Sequence, residues 1–165
     1  MILPILHYPD KRLRTIAKEV KVFDESITTL VDDMLETMYQ APGIGLAATQ
    51  INHHQRIIVI DISDEKNEPF CLINPVITEK LGKTESDEGC LSVPDYYESV
   101  KRYESINVSA MNQKGEPIEI NASGLLSICI QHEIDHLNGI LFVDHLSKLK
   151  QSRLMKKARK SGKEL

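Results

Sequence analysis

Apolar and polar positions follow three patterns along this chain, and each pattern marks an element. From Glu25 to Gln40 the apolar residues Ile27, Leu30, Val31, Met34, Leu35 and Met38 recur at three- and four-residue spacing, which predicts an amphipathic helix. Asp24 stands where an N-cap belongs, and Pro42-Gly43 ends the run. Arg56 to Ile60 and Phe70 to Ile73 are short apolar stretches that read as buried strands. Further on, Ile106, Val108 and Ala110 alternate with polar residues. Asn112-Gln113-Lys114-Gly115 then turns, and Ile118 and Ile120 resume the alternation, which is a hairpin.

The last major helix is expected from Ser123, as its N-cap, to about Asn138, with Gly139 as the stop. Leu125, Leu126, Ile128, Cys129, Ile130, Ile134 and Leu137 cover nearly all sides of it, and a helix that is apolar all round is a buried one. Yet it also carries Gln131, His132, Glu133, Asp135 and His136. Buried polar groups cost free energy unless they are paired or bound to a metal. This conflict is the strongest functional signal in the sequence.

Composition narrows the class. The chain has 165 residues, 41% hydrophobic and 27% charged, without Trp, as expected of one globular domain spanning 1–165. The run Ile57–Ile60 is far too short to cross a bilayer, and Met1-Ile-Leu-Pro-Ile-Leu lacks the basic start of a secretory signal, so a cytoplasmic address is expected. Three cysteines, Cys71, Cys90 and Cys129, argue against a disulfide framework and leave room for a thiolate ligand. The net charge of −4 is not that of an obligate nucleic-acid binder. It is unevenly spread, because Lys148, Lys150, Arg153, Lys156, Lys157, Arg159, Lys160 and Lys163 form a basic tail without an acid. Such a tail is either a solvated terminal helix or a docking surface for RNA or another acidic partner.

His132-Glu133-Ile134-Asp135-His136 matches H-E-x-x-H, which stands two imidazoles on one helical face with a Glu within reach of a water between them. A third ligand has several candidates. Cys129 lies seven residues from His136, about 10 Å along the helix axis, and its short side chain leans the wrong way. It reads instead as a wall of the pocket. The metzincin pattern matches up to Gly139, but Phe142 stands where its third His belongs. Asp144 is too close in sequence to return to the helix, and Glu164 lies near the end of the tail. Cys90 remains, in the extended stretch Glu88-Gly89-Cys90-Leu91-Ser92-Val93-Pro94, although such a cysteine taken alone reads as a small buried hydrophobe. Gly43-Ile44-Gly45-Leu46-Ala47-Ala48 has the spacing of a dinucleotide fingerprint. It follows a helix rather than a strand, so a turn or a close backbone approach to a ligand is the better reading.

Gly43 to Gln50, Glu88 to Ser92 and Gln131 to Gly139 together resemble the peptide deformylase motifs G-x-G-L-A-A-x-Q, E-G-C-L-S and Q-H-E-x-D-H-L-x-G, in the family's order. The likeness extends from Leu6-His7-Tyr8-Pro9-Asp10 into the tail. It implies removal of the formyl group from N-terminal formylmethionine of newly made polypeptides. It also implies one divalent metal on Cys90, His132 and His136, commonly Fe²⁺ in this family. Zn²⁺, Ni²⁺ and Co²⁺ suit the same donors. Glu133 would be the general base, and Gln50 and the Leu91 N–H would stabilise the oxyanion. Ile44, Gly45, Leu125, Ile128 and Cys129 would hold the substrate. Ser86 departs from a commonly apolar position and Tyr97 from an often basic one, and a buried Glu88–Arg102 pair is expected to fix the Cys90 strand. The fold should be α+β, with mostly antiparallel strands around helix 124–138, a helix at 25–40 and a C-terminal helix. A zinc endopeptidase and a metal-stabilised binding module are the rival readings, and ribosome docking through residues 148–165 is a further expectation.

Overall fold

The computed structural model describes residues 1–161, so Lys163 and Glu164 lie outside the described residues. The first helix, α1 (Glu25–Gln40), has the expected bounds: the Asp24 carboxylate accepts from Ser26 N at 3.0 Å and caps it. Its buried face carries Ile27, Leu30, Val31, Met34 and Met38.

Five strands form one sheet in sequence order: β1 (Gly45–Ala47), β2 (Ile57–Ile60), β3 (Phe70–Cys90), β4 (Val93–Met111) and β5 (Pro117–Ser123). Every neighbouring pair is antiparallel. The unbroken run in β2 is explained by burial on both faces. Ile58 and Ile60 join Leu72, Ile106 and Val108 against the second helix, α2 (Gly124–Leu137), whereas Ile57 and Val59 pack toward Met34 and Met38 of α1. Each such side chain contributes roughly 1.5–3 kcal/mol by burial. A third cluster, with Leu13, Val100, Phe142 and Leu154, lies under the C-terminal helix α3 (Lys148–Ser161). No described helix is long and apolar enough to cross a membrane.

Two strands depart widely from the expected bounds, and β2 starts one residue late, at Ile57. β3 runs on from Phe70–Ile73 to Cys90, and β4 begins at Val93, so the two make a long hairpin whose outer part is largely exposed. Ser123 precedes α2 as expected, but its hydroxyl makes no capping bond. The helix end is better fixed: Gly139 has φ +74°, and a Cβ there would meet the Arg14 carbonyl oxygen at 2.5 Å, so only glycine fits. Gln131 resolves part of the polarity conflict on α2. Its amide donates to the Tyr103 and Ser127 carbonyls and accepts from Tyr103 N, which ties the helix to β4.

Candidate metal centre

Cys90 ends β3 at a register shift, and the Leu91-Ser92 turn leads straight into β4. This end of the hairpin lies against the C-terminal half of α2, where His132 and His136 project one turn apart. The Cys90 Sγ is 3.2 Å from His136 Nε2, and the two imidazole Nε2 atoms are 3.2 Å apart. One ligand atom from each of the three residues lies within 4.8 Å of the others. A tetrahedral ion with ordinary metal–nitrogen and metal–sulfur bonds asks for donors about 3.3–3.6 Å apart. Two nitrogens facing each other at hydrogen-bond distance need either a proton or a cation between them, so the donor set fits a metal. Burial pushes His136 well below its ordinary pKa. Burial pulls His132 the same way, but Cys90, Glu133 and Glu88 outweigh it and hold that imidazole well above.

The tautomer of His132 is set from behind. Its Nδ1 donates to Glu88 Oε1 at 2.9 Å, which leaves Nε2 free to face Cys90 and His136. Glu88 is itself clasped by Arg102 through two bonds of 2.7 and 2.8 Å, and Arg102 donates a third, of 2.7 Å, to Asp135. The side chains of Arg102 and Glu88 are only 4% and 5% exposed. Burial alone would raise the Glu88 pKa, but the bonds from Arg102 and His132 prevail and bring it down to about 2. The expected Glu88–Arg102 pair is therefore present. Its extension to His132 and Asp135 was not read from the sequence. Glu88 and Cys90 are two residues apart on one strand, and that spacing was the available signal. Phe142, where a third His would stand in a metzincin, stacks on the His132 ring with centroids 6.1 Å apart.

Glu133 lies beside this cluster, 4% exposed, and its Oε1 has no hydrogen-bond partner among the described residues. Burial pushes its carboxyl up to about 7. Gly45 in β1 lets the backbone close over it: a Cβ at Gly45 would lie 2.5 Å from Glu133 Oε2 and 2.9 Å from Cys129 Sγ. Cys129 is buried, its thiol pushed up by burial, and it is outside the three-donor cluster. Gln50 is held by its own Oε1, which accepts from Ala47 N at 2.9 Å. Its Nε2 therefore points to Ser92 Oγ at 3.0 Å and Cys90 Sγ at 3.5 Å. The Leu91 N–H enters none of the loop and turn hydrogen bonds of the described residues.

These groups open into one cleft of about 670 Å³, walled by Ile44, Gly45, Leu125, Ile128 and Cys129. Ile44 and Leu125 remain 45% and 51% exposed there. Every site residue named from the sequence thus borders the cleft or the three-donor cluster. The basic helix α3 does not line it. Lys148, Lys156 and Arg159 border a separate surface groove with Tyr8.

Comparison with known proteins agrees with this geometry. Residues 2–152 match the family model described as polypeptide deformylase. A peptide deformylase of Chromobacterium violaceum is 55% identical over 163 residues, covering 99% of this chain and 98% of that protein. The crystal structure of a peptide deformylase from Legionella pneumophila superposes with a TM-score of 0.94 at 50% identity, over 99% of this chain and 96% of that one. A peptide deformylase from Ehrlichia chaffeensis, solved in complex with actinonin, gives 0.93 at 42% identity over 97% of both chains. With most of its length matched in sequence and in fold, the chain belongs to the polypeptide deformylase family.

Proposed function

We propose that this chain carries out its family's reaction, hydrolysis of the formyl group from N-formylmethionyl peptides, at a centre whose metal ligands are Cys90, His132 and His136. The observation that supports it best is the pairing of a three-donor cluster with the unpartnered, buried Oε1 of Glu133 in one cleft. A divalent ion held there supplies Lewis acidity, polarising a carbonyl oxygen and making water easier to deprotonate. Fe²⁺ is the ion we assign.

Glu133 accepts a proton from the attacking water and delivers it to the departing amine nitrogen. The carbon–nitrogen bond breaks, and formate and a free amine leave. A carboxyl near 7 suits both halves of this task, because each protonation state is populated at neutral pH. Gln50 Nε2 and the Leu91 N–H donate to the formyl oxygen as charge develops on it. Ile44, Gly45, Leu125, Ile128 and Cys129 receive the methionine side chain and the peptide backbone. The setting is the cytoplasm, where new chains emerge, and the cations of α3 dock on the ribosome electrostatically.

The test is formate release from formyl-Met peptides by protein purified without oxygen, with metal analysis of each variant. Glu133→Ala should keep its metal and lose on the order of 10²-fold in rate. Cys90→Ser should lose metal, and Cys129→Ser should keep it. Undiminished formate release in Glu133→Ala, or cleavage of an internal peptide bond, refutes the assignment.

A further inference from the structure

Gln50 and Leu91 stand on elements far apart in the chain. Gln50 lies on the short helical turn Ala48–Ile51, whereas Leu91 and Ser92 form the end of the hairpin between β3 and β4. One extended segment straps the two together. Leu6 N donates to the Gln50 carbonyl and Tyr8 N to the Ser92 carbonyl, each at 2.7 Å. The two backbones are therefore held side by side whatever their side chains do.

The Gln50 side chain needs a separate restraint. The terminal torsion of glutamine is broad, so the bond from Ala47 N to Oε1 leaves the amide plane free to swing. Ser92 removes that freedom, because Gln50 Nε2 donates one hydrogen to its Oγ at 3.0 Å. A primary amide carries two coplanar hydrogens. With Oε1 and one of them held, the other has a single direction left, toward the side of Cys90 Sγ, 3.5 Å away. Both residues are sealed from solvent, Gln50 at 1% and Ser92 at 0% exposure. Leu91 and Val93 border the cleft, and Ser92 between them does not. The Ser92 N–H also donates to Cys90 Sγ at 3.4 Å, a main-chain contact that any residue but proline would make. What serine adds is the oxygen that takes up the spare amide hydrogen.

We propose that Ser92 is a positioning residue for the reaction: its hydroxyl aims the Gln50 amide at the developing oxyanion, and it touches no substrate itself. The inference rests on the reading that the cleft hydrolyses a formyl group with Gln50 as an oxyanion donor. Such a donor acts chiefly in the transition state, so a misaimed amide lowers kcat and spares KM.

The experiment measures formate release from formyl-Met-Ala by metal-loaded wild type, Ser92→Ala, Gln50→Ala and the double variant, with metal content and urea midpoint of each. Ser92→Ala should keep its metal and fold and lose about 5- to 30-fold in kcat, with KM within about twofold, since even a misplacement of about 1 Å can reach 10²-fold. Gln50→Ala should lose on the order of 10²-fold. Adding Ser92→Ala to Gln50→Ala should cost less than about twofold more, because the hydroxyl acts only through the amide. A second readout needs no turnover. In isotope-labelled, Zn²⁺-loaded protein the Gln50 side-chain amide protons, assigned by their loss in Gln50→Ala, should be protected from exchange with water, and Ser92→Ala should reduce that protection. The proposal is overturned if the two losses multiply in the double variant, or if Ser92→Ala matches wild type in kcat or in amide protection. Loss of metal or fold in Ser92→Ala overturns it as well, since the hydroxyl would then serve the structure. A wild type that releases no formate removes the reading beneath it, and the proposal with it.

Discussion

Replacing Arg102 with Met separates what the buried ion pair does for the fold from what it does for the metal. The substitution keeps most of the side-chain volume but removes the guanidinium that clasps Glu88, whose side chain is 5% exposed and is left with His132 as its remaining partner among the described residues. It also strips Asp135 of a 2.7 Å partner, leaving it His145. Removing one member of a buried pair typically costs about 3–5 kcal/mol, because the other charge stays behind uncompensated. With a urea slope near 2 kcal/mol/M, that is a fall of about 1.5–2.5 M in the unfolding midpoint of metal-stripped protein.

The double variant Glu88→Met with Arg102→Met should regain most of this loss, since apolar isosteres often replace a buried pair at little cost. Metal affinity should not recover with it. His132 Nδ1 then has no acceptor, and loss of such an orienting partner typically costs 10- to 100-fold in affinity. Urea titration at fixed pH and competition with a chromophoric chelator read the two quantities separately. The reasoning fails if Arg102→Met loses less than about 1 kcal/mol, or if the double variant is as unstable as the two single losses summed. It also fails if affinity returns together with stability.

Gly45→Ala should retain metal and fold but lose on the order of 10-fold or more in kcat/KM, because its Cβ displaces the Glu133 carboxylate; unchanged kinetics would contradict the 2.5 Å approach. Acid should destabilise the metal-stripped protein partly through Glu88, whose folded pKa of about 2 lies below its ordinary 4.5. That contribution is complete above about 4.5 and disappears as pH falls toward 2, so the urea midpoints of wild type and Glu88→Gln should converge over this window. Metal binding should release protons, since His132 holds one in the metal-free site and gives it up to bind; calorimetry in buffers of different ionisation enthalpy measures the count, and zero release rejects the shared-donor picture. Truncation after Lys150 should spare activity on short peptides yet weaken a salt-sensitive association with ribosomes, whereas salt-independent binding would exclude an electrostatic role for the tail.

The parts of the fold that bury an apolar face were legible in the sequence. α1 has the expected ends because its apolar stripe and the Asp24 cap specify the same element. β2 starts at Ile57 rather than Arg56, and its unbroken apolar run reflects burial on two faces. The outer hairpin was not legible. Glu79 to Asp87 of β3 and Asp95 to Ser99 of β4 are largely exposed, so no period of two is imposed on them, and the ladder between the strands holds them. β1 escaped notice for another reason: a three-residue strand of Gly, Leu and Ala is too short to show a pattern.

The site divides along the same physical line. H-E-x-x-H was visible because a helix places residues four apart side by side whatever surrounds it. The support of His132 depends on β4 register instead: Arg102 lies opposite Thr84 and reaches Glu88 only because the hairpin turns at Leu91-Ser92 and shifts its register just before Cys90. The two-residue spacing of Glu88 and Cys90 hints that their strand serves the site, but no local spacing encodes the reach of Arg102 to it. The polar residues that contradicted the apolar surface of α2 do divide by partner. Gln131 bonds β4, Asp135 bonds Arg102 and His145, and the His132 ring is held between Glu88 and the donor cluster. Among the described residues, Glu133 alone on that helix has a buried carboxylate oxygen without a partner, and its side chain borders the cleft. A structural carboxylate would have been paired like Glu88. One left unpaired beside three metal-donor atoms, with its pKa raised by burial to about 7, suits the proton-transfer role proposed for it.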